Sequence, residues 1–260
     1  MISTSPRVEV QQQLSLPGLM GLIERRTLAL RIPMYYPVDT AARASQLVIQ
    51  GYGTEGVGGA KRFGTPFYDT HDNPDVLESY YSEAVAVQRR MREIFTPFQS
   101  PIDKMRIELQ EVWPAGALPE NLDGRNLFVG LGRVFENAVE GLPHQDVLRR
   151  DSPEPKAATL RAQLGSNIYL QCPAAGGELE IWDKYFSDAE FTQLKKPGSY
   201  GIERHKLPPP TVVIAPEPGD LIVFNSESVH AVQAIQGQTR VSVSSFIGYR
   251  GVQAPLTMWS

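Results

Sequence analysis

Pro218-Gly219-Asp220-Leu221-Ile222-Val223-Phe224-Asn225, continued through Ser226-Glu227-Ser228-Val229 into His230-Ala231-Val232-Gln233-Ala234, is the stretch that decides the fold. It reads as a turn, a short strand, a second turn and another short strand. Pro218, Gly219 and Asp220 are turn formers, and Leu221 to Asn225 is a five-residue run rich in branched and aromatic side chains. Units of the same texture lie on both sides: Asn126–Phe135, Gly165–Cys172, Gly177–Trp182, Val212–Ala215 and Arg240–Tyr249. Short strands separated by turns favour a sandwich or jelly roll over alternating βαβ units.

The first half of the chain has a different texture. Residues 1–26 read as a loose arm with one short helical piece, and Thr27–Ile32 as a strand. Asp39 is placed to cap a helix running to about Gln50. Asn73-Pro74 and Ser100-Pro101 each put a capping residue before proline at the first helical position. After the first of these, Leu77, Tyr80, Tyr81, Ala84, Val87, Met91, Ile94 and Phe95 recur at helical spacing, a core stripe. The second helix should end near Trp113. Gly51–Gly64 holds six glycines and reads as a mobile loop; no Gly-Lys-Ser/Thr follows to make it a phosphate cradle. The expected fold is therefore α+β, a single domain over 1–260. A helical support with one strand spans 1–124, and a jelly-roll core spans 125–250. The stretch 183–210 interrupts that core as an insertion and a candidate lid, with Ser187 and Glu190 forming a capping-box pattern and Tyr185 or Phe186 expected to meet substrate. Residues 51–68 are a second lid candidate.

Composition narrows the function. A formal charge of −4 argues against a broad nucleic-acid surface. Cys172 is the only cysteine, so no intrachain disulfide forms. No apolar run approaches membrane-spanning length, and the residues after Met1 resemble no secretion signal, so a cytoplasmic location is expected.

The chemistry is carried by His144-Gln145-Asp146, then His230, then Arg240. Two imidazoles and one carboxylate on one face of a metal leave further positions open, the site type of non-haem Fe(II) oxygenases. An arginine nearby offers a planar two-pronged donor for a carboxylate. Singly, His144 is an ordinary surface histidine after Pro143 and His230 a core histidine; jointly with Arg240 they read as a metal site. Period-two alternation places His144 and Asp146 on one side, and Arg240, Ser242 and Ser244 on one face. The His230 and Arg240 strands are expected to form a hairpin with an odd loop, Gln236-Gly237-Gln238, in which Gly237 or a neighbour is left-handed; this brings His230 onto that face, where a two-residue Gln236-Gly237 loop would put it on the opposite one. Asn167, Tyr169 and Gln171 are either the solvent side of an edge strand or a polar lining of the interior near a co-substrate. Arg133 is either an exposed strand arginine or a second anion anchor. His71 and His205 read as loop residues outside the site, and Cys172 as a small buried residue.

At these residues the chain resembles the Fe(II)/2-oxoglutarate-dependent oxygenases. His144, Asp146 and His230 match their metal triad, and Arg240-x-Ser242 their co-substrate anchor. Ala175-Gly176-Gly177-Glu178-Leu179 and Pro218–Asn225 agree as well; the likeness covers about residues 125–250. Phe63-Gly64-Thr65 and the closing Trp259-Ser260 are similar to free-standing members that modify alkaloid-type natural products, halogenases included. Those halogenases carry a small residue where this chain has Asp146, so the resemblance implies hydroxylation or another oxidation. It implies a double-stranded β-helix core, cupin-like. Fe(II), 2-oxoglutarate and dioxygen are the implied cofactors, with succinate and carbon dioxide released and a small-molecule substrate such as an amino acid or a natural-product intermediate. Asn167, Tyr169 and Arg133 join Arg240 and Ser242 as candidate co-substrate residues. Desaturation, cyclisation or epimerisation by the same iron chemistry, and a non-catalytic metal-binding jelly roll, are the alternatives. The substrate and the oligomeric state are not legible.

Overall fold

Two sheets face each other, and from Leu131 to Tyr249 the chain crosses between them except at Leu179–Ile181 and Val212–Ile214, successive strands of the smaller sheet. In the computed structural model, which describes residues 7–51, 54–55 and 60–260, the larger sheet has the strand order Val8–Val10, Ala29–Ile32, Leu221–Asn225, Ala162–Gln171, Arg240–Tyr249, Leu131–Phe135, Lys61–Phe63, Thr54–Glu55. The smaller has Val212–Ile214, Leu179–Ile181, His230–Val232, Gly141–His144. From Leu131 onward, successive strands enter the larger and smaller sheets in the pattern of a jelly roll, the double-stranded β-helix expected.

The eighth core strand, Gly141–His144, is absent from the sequence-based expectation. It is four residues long and contains Pro143, which cannot donate to a ladder. It lies at the edge of the smaller sheet, where such a proline is tolerated. The N-terminal arm also differs from expectation. Val8–Val10 is a strand parallel to Ala29–Ile32, and Leu16–Ile23 is the short helix, with Ser15 accepting from the Gly18 N–H. Residues 52–53 and 56–59 of the glycine-rich Gly51–Gly64 stretch, read as a mobile loop, lie outside the described residues. Its end, Lys61–Phe63, is a strand rather than loop, paired with Leu131–Phe135.

The helical starts are as their caps dictate. Asn73 accepts from the Val76 N–H ahead of Pro74–Phe95, and Ser100 from the Asp103 N–H ahead of Pro101–Val112. The helix at Asp39 runs Val38–Gly51, so Asp39 sits inside its first turn, where a negative charge suits the helix dipole. Tyr80, Ala84, Val87, Met91 and Phe95 are buried from the Pro74–Phe95 helix, and Trp113 closes the next. With Leu164, Ile168, Val241 and Val243 they form one apolar cluster on the outer face of the larger sheet. Alternation then turns Asn167, Tyr169, Arg240, Ser242 and Ser244 toward the smaller sheet.

No hairpin joins the His230 and Arg240 strands. His230–Val232 pairs with Leu179–Ile181 and Gly141–His144, whereas Arg240–Tyr249 pairs with Ala162–Gln171 and Leu131–Phe135. The two strands lie in opposite sheets, so the parity of the Gln236-Gly237-Gln238 loop does not decide their facing; the sandwich does. Gly237 does take the left-handed conformation expected there, with φ +82.

A tighter constraint lies at Gly176, with φ +75. Across the bridge between Ala175 and Gln236, a Cβ added at Gly176 would stand 2.1 Å from the Ala234 carbonyl oxygen. Gly176→Ala is expected to destabilise the fold by about 2 kcal/mol or more, from left-handed strain plus that clash. Chemical denaturation checks this; an unchanged midpoint would contradict the close approach.

Candidate metal centre and its cavity

His144 and His230 are directly opposed across an antiparallel pair, which points both rings to the same side of the smaller sheet. The ring centroids are 4.3 Å apart. Asp146 follows two residues after His144, and its backbone N–H is held by the Ser226 carbonyl at 3.0 Å. Between them Gln145 turns aside, its Nε2 donating to the Glu227 carbonyl at 2.5 Å. Asp146 Oδ2 comes within 3.3 Å of His230 Nε2, and Oδ1 within 3.7 Å of His144 Nε2. One candidate ligand atom from each of the three residues lies within 4.8 Å of the others.

The backbone sets the protonation pattern of the rings. His144 Nδ1 lies 2.7 Å from the Leu142 carbonyl and His230 Nδ1 3.0 Å from the Ser228 carbonyl. A carbonyl only accepts, so each Nδ1 carries the hydrogen and each Nε2 presents a lone pair to the shared centre. Burial and the neighbouring His230 pull the His144 pKa down to about 4, so its ring is neutral at physiological pH. Burial by itself would raise the Asp146 carboxyl. The two histidines outweigh that and hold it well below the usual carboxylate range. Two imidazoles turned Nε2-first to the centre and one anionic carboxylate fit a divalent iron-class ion.

Opposite the triad, cross-strand rows line the larger sheet. Arg133, Ser242 and Tyr169 share one row, Leu131, Ser244 and Asn167 the next, and Phe135 and Arg240 the row on the other side. Arg240 is 1% exposed and has no carboxylate partner among the described residues. Its Nη2 donates to the Tyr169 hydroxyl at 3.2 Å. Arg240 Nε and Ser242 Oγ are buried without a partner. A buried guanidinium left so is costly unless an anion meets it, and those two orphaned groups are suited to a carboxylate. Tyr169 is fully buried and Asn167 lines the cavity. Their strand is central, which removes the edge-strand alternative. Gln171 leaves this face: a register shift after Tyr169 sends it to Ser45 and the Thr239 carbonyl. Arg133 is partly buried and faces the cavity, so it is not an exposed strand arginine.

The space between triad and arginines is a cavity of about 650 Å³, within the range of small-molecule sites. The insertion supplies part of its wall. Its helix, Asp188–Leu194, has the predicted capping box between Ser187 and Glu190. The cavity side chains are Phe191 and Tyr200, not Tyr185 or Phe186. Tyr185 lies under the Arg25 guanidinium, 3.6 Å from its ring centre, and Phe186 packs on Trp182, Val229 and Ala231 behind the smaller sheet. Tyr200 stands edge-on to His144, and its hydroxyl accepts from the Leu142 N–H at 2.8 Å. Tyr68, Asp69 and Asp151 also line the cavity. Tyr68, with Ala60 and Arg62, belongs to the second lid candidate, 51–68; no sequence signal marks Asp69 and Asp151, because each arrives from a short helix whose path the sheets determine. His71 is exposed at the cavity rim beside Asp72, and His205 is exposed on a short helical turn. Cys172 is only half-buried, its thiol pushed up to about 12 by burial. Among the described residues no helix is long and apolar enough to cross a membrane.

The family model described as carrier-protein-independent halogenase WelO5 matches residues 38–260. L-gamma-glutamyl-L-propargylglycine hydroxylase of Streptantibioticus cattleyicolor is 27% identical over 204 residues, 76% of this chain and 74% of that protein. Leucinostatins biosynthesis cluster protein S of Purpureocillium lilacinum is 32% identical over 210 residues, 73% of this chain and 82% of that protein. The fold is shared with an N-substituted L-amino acid dioxygenase from Burkholderia ambifaria in complex with alpha-KG. Its TM-score is 0.60 at 18% identity, covering 94% of this chain and 90% of that one. The chain belongs to the WelO5 family and, with it, to the Fe(II)/2-oxoglutarate-dependent oxygenases.

A neutral buried histidine makes metal-free protein acid-sensitive. Because the folded His144 pKa lies below its unfolded value, the unfolded chain binds more protons between about pH 6.5 and 4. Stability from this group, at most about 3 kcal/mol, is present above that window and lost as pH falls through it. Asp151 and Glu227, whose carboxyls burial raises, act in the opposite sense. The comparison is therefore with His144→Gln: denaturation of the metal-free proteins across this window should show a shallower acid loss in the variant. Parallel curves would contradict the buried neutral ring.

Proposed function

We propose that this protein is an Fe(II)- and 2-oxoglutarate-dependent dioxygenase that hydroxylates an unactivated C–H bond of a small molecule. The observation that carries the reading is Asp146. Its carboxylate oxygens lie 3.3 and 3.7 Å from the two Nε2 atoms, so Asp146 would fill the third protein position on a bound metal, the one a halide needs open. That separates this chain from the halogenase chemistry in its family's description and supports the hydroxylase sense of its Streptantibioticus relative.

His144, Asp146 and His230 would hold the iron, and Arg240 with Ser242 and the Tyr169 hydroxyl would receive the far carboxylate of 2-oxoglutarate. When bound, iron, 2-oxoglutarate and dioxygen together supply the oxidising power that replaces C–H by C–OH, with succinate and carbon dioxide released. The chain's own work is positioning. The Leu142 and Ser228 carbonyls hold both rings with Nε2 toward the centre, so the ligand set needs no proton loss from a histidine. Asp146 brings the negative charge that partly offsets a divalent ion. Phe135, Val232 and Phe191 give the cavity apolar wall that keeps water from the reacting carbon. Arg240, clamped between the Phe135 and Tyr169 rings at 5.2 and 4.8 Å, has one orientation in which to meet its anion.

The test is succinate release that requires Fe(II), 2-oxoglutarate and a small-molecule substrate together. The expected product gains one oxygen atom, with no chlorinated product at high chloride. A chlorinated product, loss of two hydrogens, or an isomer of unchanged mass would overturn hydroxylation; no succinate across a broad small-molecule panel would favour a non-catalytic jelly roll. Arg240→Met should raise the KM for 2-oxoglutarate by about a hundredfold, the scale of a lost buried charge-assisted pair. The same variant should unfold no more easily than wild type when 2-oxoglutarate is absent, since it removes an unmatched buried charge.

A further inference from the structure

We infer that the substrate carries a carboxylate and that Arg133 is its anchor, so that the enzyme acts on a carboxylic acid of the amino-acid kind. The inference rests on the oxygenase reading and adds the substrate class. Arg133 lies on the inner face of Leu131–Phe135 and lines the cavity. The other arginines there are accounted for: Arg62 is paired with Asp69, Arg150 with Asp188, and Arg240 with the co-substrate pocket. Arg133 has no carboxylate within salt-bridge distance among the described residues. Its hydrogen-bond partners are hydroxyls, not carboxylates: Nε donates to Ser244 Oγ at 2.9 Å, and the guanidinium also donates to the Tyr68 side chain.

That contact also sets its direction. Ser244 lies one row beyond Ser242 on the side away from Arg240, so the Arg133 head leans from the Arg240 pocket toward Tyr68, whose ring centre is 5.8 Å from it. Arg240 has its own walls, Phe135 and Tyr169. The two guanidinium groups thus serve two pockets rather than one. Charge points the same way. A divalent ion, Asp146, a dianionic co-substrate and Arg240 neutralise one another, which leaves Arg133 as the cavity arginine still in want of an anion. A planar guanidinium lining a partly apolar cavity is suited to take a carboxylate in two-pronged fashion. The C–H bond to be oxidised then lies within the reach of a small molecule held by its acid group.

The experiment uses the full chain loaded with Ni(II) and saturating 2-oxoglutarate in a carboxylate-free buffer. Calorimetric titration compares 3-phenylpropionate with 3-phenylpropionamide, and N-acetyl-L-leucine with its amide. Wild type should bind each acid at least about tenfold more tightly than its amide. Arg133→Gln should bring that ratio to about one and Arg133→Lys to an intermediate value, with the Kd for 2-oxoglutarate unchanged within about twofold. Equal binding of acid and amide by wild type overturns the inference without recourse to any variant. So does an acid preference that survives Arg133→Gln, or a weakened 2-oxoglutarate Kd in that variant, which would assign Arg133 to the co-substrate. Failure of wild type to bind Ni(II) and 2-oxoglutarate at all is a separate result, which removes the oxygenase reading and this inference with it.

Discussion

The pairing of His144 with His230 across two antiparallel strands is the constraint on which the site depends. Side chains alternate along a strand, so a shift of one residue in this register would turn one imidazole to the far side of the sheet. The register is held from outside the pair. Leu179–Ile181 aligns the other edge of the His230 strand, and the 226–228 turn grips Asp146 and Gln145 through backbone carbonyls. The edge position of Gly141–His144 would leave the pairing open to slippage. Tyr200 and Ile202 bind its free side, through the Leu142 N–H and the Pro143 carbonyl. The convergence of these candidate ligands is therefore the product of a register held from both sides.

The second half of the site comes from the opposing sheet and obeys a different logic. There the side chains are arranged in rows across three central strands, and what distinguishes them is unmet bonding capacity. Arg240 and Ser242 lie deep in the protein with donors unspent, in a structure that elsewhere pairs its buried charges, such as Glu120 with Arg250 and Lys156. Natural proteins do not keep such groups for stability. Their retention is intelligible when an anionic partner completes them.

How much of this was legible in the sequence follows from the range of the forces involved. The strands Leu221–Asn225 and Arg240–Tyr249 and the helix starts at Asn73 and Ser100 are local, dictated by turn residues, branched runs and caps, and they stand where the pattern puts them. The triad was legible because His-x-Asp at a strand end keeps both groups on one side. Three things were not. Gly141–His144 is too short and too proline-bearing to be read as a strand. The approach of His230 to Arg240 comes from stacking of two sheets, and a parity argument within a hairpin misses it. Tyr200 and Asp151 reach the cavity along paths that only tertiary packing defines. Gln171 shows the converse: a register irregularity of a single residue moves a side chain that alternation places in the interior.

The stretch that walls the cavity departs after Ile181 and returns at Val212, and these two residues are register partners on adjacent strands. An excursion of some thirty positions thus begins and ends at one point of the scaffold. The segment is tied to the two histidine-bearing strands by Tyr200 and Ile202 and by Arg204, which donates to the Gly141 and Val232 carbonyls and pairs with Glu140 and Glu180. Such an arrangement confines a change of cavity wall to one excursion whose only fixed demands on the scaffold are those few anchoring bonds.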